Sequence, residues 1–98
     1  MALKTFPFDA ADYLDSDEAV EAFLADAFET GDASEIADAL GVIARAKGMS
    51  RVAEDAGLSR TALYRTLSSE GRPELPTLLR VMQALGLRLA PVTIKPAA

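Results

Sequence analysis

The chain has 98 residues, half of them apolar by type, which is enough for one modest domain and too little for two, because a domain of this size buries roughly 60–70% of the surface its unfolded chain exposes. It contains no cysteine and no histidine, which excludes disulfide staples and leaves no ligand set for zinc or haem. Its formal charge of −5 is polarised: up to Gly41 one lysine, Lys4, faces eleven carboxylates, a net of −10, and from Val42 onward nine basic side chains oppose four acidic ones, a net of +5.

The opening stretch MALKTFPFDAADYLD has an early proline and an aspartate at position nine, so it lacks the apolar core of a signal peptide. No apolar run approaches the ~20 residues that span a bilayer. The expectation is a soluble cytoplasmic protein with no membrane association. Within residues 1–14, Phe6, Phe8 and Tyr13 are three of the six aromatics, beside Pro7 and Leu14. An arm of this composition docks on its own domain or clamps another protein.

The first helix is expected to begin at Asp15 or Ser16, since Asp15 and Glu18 have capping-box spacing. Val20, Phe23, Leu24, Ala27 and Phe28 then form one apolar stripe, and Gly31 ends the helix. Asp32 and Glu35 repeat the cap, and Ile36, Leu40, Ile43 and Ala44 mark the inner face of a second helix running to about Lys47. Two helices so closely joined lie together, so residues 15–48 read as an acidic helical hairpin. Paired carboxylates can do hydrolytic work. Here they occupy capping and solvent-facing positions with no other catalytic group beside them, and an enzyme is not expected.

The stretch MSRVAEDAGLSRTALYRTLS, residues 49–68, reads as a helix-turn-helix. Ser50 is expected to cap its first helix, with Val52, Ala53 and Ala56 inward and Gly57 in the turn. Leu58 and Leu63 flank the Ser59 cap at the spacing of a hydrophobic staple, and Leu67 lies one turn beyond Leu63 on the core side. That leaves Ser59, Arg60, Thr61, Tyr64, Arg65 and Ser68 outward, where the second helix of such a motif meets base edges in double-stranded DNA. Arg60 and Arg65 can each read a guanine or hold phosphate. Tyr64 can reach a phosphate with its hydroxyl or a thymine methyl with its ring, or pack on a neighbouring helix. Arg72, in the SEGRP turn, is placed for backbone phosphate.

Residues 74–86 read as a closing helix, with Pro76 in its first turn and Leu75, Leu78, Leu79, Met82 and Leu85 as its apolar face. In the tail, residues 87–98, Leu87 and Leu89, then Val92 and Ile94, alternate with polar residues, as a short extended segment would.

This order of features resembles the addiction-module antidote proteins, the HigA-like antitoxins of bacterial type II toxin–antitoxin pairs. The similarity spans residues 13–89 and is most specific in IARAKGMS, AGLSRTALYRTLS and VMQALGLRL. The resemblance implies an all-α, five-helix Cro/repressor-like helix-turn-helix bundle in a single domain. It also implies a small basic RelE/ParE-type toxin as partner, and repression of the pair's own operon. The residues matching Ser59, Arg60, Thr61, Tyr64 and Arg65 would be its DNA readers. Dimerisation follows from charge: residues 49–68 carry Arg51, Arg60 and Arg65 against Glu54 and Asp55, a net of +1, which gives one copy little affinity for a duplex. No cofactor or metal is expected. Two other readings stay open, a stand-alone regulator without a toxin and an interaction module that no longer binds DNA.

Overall fold

The computed structural model describes residues 10–95, and the expectation that Phe6, Pro7 and Phe8 dock falls outside them. After a short 3-10 turn over Ala10–Tyr13, the chain forms five α-helices: α1 Asp17–Glu29, α2 Ala33–Lys47, α3 Met49–Ala56, α4 Arg60–Thr66 and α5 Leu75–Ala84. No strand occurs among the described residues. None of their helices is long and apolar enough to cross a membrane.

The helix starts follow local chemistry, with two departures from the expected caps. Ser16, not Asp15, caps α1: its Oγ accepts the Ala19 N–H at 3.0 Å. Because the helix begins one residue later than the Asp15–Glu18 box requires, Glu18 stands at the second helical position and cannot close that box. Asp32 caps α2 as its spacing indicates, one carboxylate oxygen accepting from the Ser34 N–H at 2.8 Å and the Glu35 N–H at 3.4 Å. Ser50 makes no cap. Gly48, at φ +107°, is the single residue between α2 and α3, so α3 begins directly at the buried Met49 and Ser50 lies inside it.

Packing builds one core from all five helices. Val20 and Leu24 of α1 meet Leu40, Ile43 and Ala44 of α2, and these join Val52, Ala53 and Ala56 of α3, Leu63 of α4, and Val81 and Met82 of α5. Leu40, Ile43, Leu63 and Val81 have no solvent exposure. No polar or charged side chain is buried among the described residues. Helices α1 and α2, joined by residues 30–32, pack on each other, α3 packs on α2, α4 and α5, and the 3-10 turn that precedes α1 lies on α2. Leu14 of the predicted arm packs against the core, whereas Tyr13 is largely exposed.

Gly41, in the middle of α2, is a buried residue with a specific partner. A Cβ placed there would collide with the carbonyl oxygen of Leu67, just past the end of α4. A glycine in a helix interior costs about 1 kcal/mol relative to alanine. Here that cost allows two backbones to touch.

The C-terminal elements differ from their expected form. The inner side of α5 is formed by Val81, Met82 and Leu85, while Leu75 and Leu79 are 58% and 44% exposed. The apolar residues form one broad arc opposite Arg80 and Gln83, and contact with α3 covers only the part of it around Val81, Met82 and Leu85, leaving Leu75 and Leu79 at the uncovered edge. Residues 87–95 form no regular element, and Val92 and Ile94 are exposed. A strand needs a ladder partner for its backbone groups, and none is present among the described residues.

Urea denaturation followed by circular dichroism should separate these environments. Gly41→Ala should lower stability by about 1–3 kcal/mol despite alanine's better helix propensity, the range for forced overpacking. Leu63→Ala should cost about 2–5 kcal/mol, and Leu79→Gln should stay within about 0.5 kcal/mol. A stabilising Gly41→Ala would mean that the α2–Leu67 approach is not held in solution.

Candidate nucleic-acid interface

The geometry of residues 49–68 begins with the turn. Gly57 takes φ +73°, ψ 30°, a left-handed conformation that a Cβ would strain. Its N–H donates to the Glu54 carbonyl at 3.2 Å and the Leu58 N–H donates to the Ala53 carbonyl at 2.9 Å, which closes α3. Ser59 then adopts an extended backbone, and its Oγ accepts the Ala62 N–H at 3.0 Å to open α4. Leu58 and Leu63 both pack into the core on either side of this cap. The two short helices are thereby locked at a three-residue connection, Gly57 to Ser59.

With Leu63 and Leu67 buried, helical geometry determines what remains outside. Ser59, Arg60, Thr61, Tyr64 and Arg65 are all exposed and share the outer surface of α4. Ser68 differs: it is half-buried, and its Oγ donates to the Arg65 carbonyl at 3.1 Å, so it helps to close the helix end. Beyond it the Gly71 N–H donates to the Ser68 carbonyl at 2.8 Å, and Arg72 emerges exposed from that turn.

Tyr64 is 47% exposed and lies outside the core packing. Its ring instead carries Arg60, whose guanidinium carbon stands 5.5 Å from the ring centroid and whose Nη2 donates to the Tyr64 Oη at 3.4 Å. Their separation of four residues is a sequence signal that could have identified the pair.

The charges are distributed unequally around this surface. On α3, Arg51 pairs with Asp55, Nε to Oδ2 at 3.8 Å, an exposed contact between residues four apart that adds a few tenths of a kcal/mol. Among the described residues, neither Arg60 nor Arg65 has a carboxylate partner. Glu18, Glu21, Asp26 and Glu29 of α1 and Glu35 and Asp38 of α2 are all exposed on the hairpin. No group of acidic side chains among the described residues is placed to hold a metal ion.

Because the Ser59 cap sets where α4 begins, Ser59→Ala should cost about 0.5–2 kcal/mol of unfolding free energy, while Ser68→Ala should cost less than half as much. Equal losses in parallel thermal and urea melts would contradict the cap's role in fixing α4.

No solved structure matches the chain. It is 43% identical over 81 residues to an uncharacterized protein of Haemophilus influenzae, an alignment that covers 83% of this chain and 84% of the relative. Residues 4–93 match the sequence model of a family described as "probable addiction module antidote protein". That match takes in all five helices and the whole of the surface just described, and the chain belongs to the family of probable addiction module antidote proteins.

Proposed function

We propose that this antidote protein is also a DNA reader, which covers a small basic RelE/ParE-type toxin and represses the operon encoding both. In this reading α3 and α4 are a helix-turn-helix of the Cro/repressor type, and α4 lies in the major groove. The observation that carries it is the division of α4: Leu63 has no solvent exposure, whereas Ser59, Arg60, Thr61, Tyr64 and Arg65 are all exposed. A helix held this way can place side chains against base edges without disturbing its own core, and one bidentate arginine–guanine contact supplies roughly 1–3 kcal/mol of discrimination.

The antidote family implies a toxin as partner. For a basic toxin the exposed carboxylates of the α1–α2 hairpin provide complementary charge, which raises encounter rate and rejects wrong partners. The same carboxylates repel DNA phosphates. With Arg51 paired to Asp55, a single copy offers few phosphate contacts, so this reading requires a homodimer on half-sites about 10 base pairs apart.

A gel shift on the region upstream of the gene tests it. Arg60→Ala combined with Arg65→Ala should abolish a specific shift with the circular dichroism spectrum unchanged, and an unaltered shift would remove α4 from the interface. Arg72→Ala should weaken binding to all sequences alike and reduce the salt slope by about one unit.

The net charge of −5 favours a second reading, an interaction module that covers its toxin without touching DNA. Co-expression with the product of the adjacent reading frame, purified on one tag, separates the two. A stable complex that shifts DNA is the expected result, and a stable complex that shifts none supports the second reading.

A further inference from the structure

Arg60 and Tyr64 occupy successive turns of the exposed face of α4, with the guanidinium carbon 5.5 Å from the ring centroid. That distance lies within the ~6 Å over which a cation is attracted to an aromatic face. The accompanying Nη2–Oη contact, at 3.4 Å, is longer than the roughly 2.7–3.2 Å of an ordinary N–H···O hydrogen bond, so the ring contributes more than the hydroxyl. A long arginine side chain normally loses much of its rotamer freedom when it docks on a base. Here the ring already confines it. A guanidinium has five N–H donors and Tyr64 engages one, which leaves a pair for the two acceptors, O6 and N7, on a guanine edge.

We propose that Tyr64 is a positioning residue that stacks Arg60 for readout of one guanine, making Arg60 the base reader and the Arg60–Tyr64 pair a single specificity element. Arg65, which has no such support, is left to hold phosphate. The inference rests on reading α4 as the DNA-contacting helix.

Two measurements on the full chain test it. In the free protein, the side-chain NMR signals of Arg60 should be shifted upfield by the Tyr64 ring. The shift should vanish in Tyr64→Ala and persist in Tyr64→Phe. Unshifted Arg60 signals in the unsubstituted protein would overturn the pairing whatever happens on DNA.

The second measurement is selection from a randomised duplex library. The unsubstituted protein should enrich a motif with a preferred guanine. Tyr64→Ala should reduce preference at that position about two- to fivefold, the worth of an exposed cation–π contact, and Tyr64→Phe should restore it. Arg60→Ala should abolish the same preference, and adding Tyr64→Ala to it should change nothing further. Thermal melts confirm that the variants are folded, as the exposure of both side chains predicts.

If the unsubstituted protein enriches no sequence, the DNA-binding reading fails and takes this inference with it. If it enriches a motif and Tyr64→Ala keeps the preference intact, or weakens all sites equally, only the inference on Tyr64 is overturned.

Discussion

The close approach of α2 to the end of α4 is the constraint on which the arrangement depends. At Gly41 the backbone of α2 lies against the Leu67 carbonyl, and no residue with a side chain fits between them. This contact ties the acidic hairpin to the short helix that carries the exposed arginines. An α4 of seven residues is too short to be stable alone, since isolated helices below about 12–15 residues are marginal in water. Its shape comes from the Ser59 cap at one end, the fully buried Leu63 in the middle and the α2 backbone beneath the other end.

This attachment lets two opposed surfaces coexist on one small core. The carboxylates of α1 and α2 project from the hairpin, and Arg60 and Arg65 project from α4. The hairpin carboxylates repel negative charge and attract positive charge, and the α4 arginines do the reverse. Within a Debye length of about 8–10 Å such fields act locally, so the sign of each face counts for more than the net charge of −5.

Much of this was legible in the sequence where the signal is local. The Asp32 cap, the turn at Gly57, the Ser59 cap and the buried pair Leu63 and Leu67 each depend on residues within five positions of one another, and each is found where the spacing places it. What was not legible depends on distant or competing partners. Gly41 meets Leu67 across 26 positions, and nothing beside Gly41 in the chain announces that contact. Asp15 and Ser16 are adjacent acceptors, and the exact start of α1 decides between them. In α5 the apolar arc is wider than the surface that α3 covers, so the period alone does not tell that Val81, at one edge of the arc, is buried while Leu75 and Leu79, at the other, are exposed. On α4 the outward positions of Ser59, Arg60, Thr61, Tyr64 and Arg65 follow from the helical period, whereas the turn-side role of Ser68 depends on where the helix ends, which the period does not give.

The core, finally, contains no ionisable or polar side chain among the described residues. Folding therefore removes none of their charges from water, and replacing a surface charge has only a small effect on stability, within about 0.5 kcal/mol for exposed positions away from caps. The fold and its two faces are consequently separable under mutation. The carboxylates of the hairpin, or the outer residues of α4, can each be exchanged while the same apolar interior keeps the five helices in place.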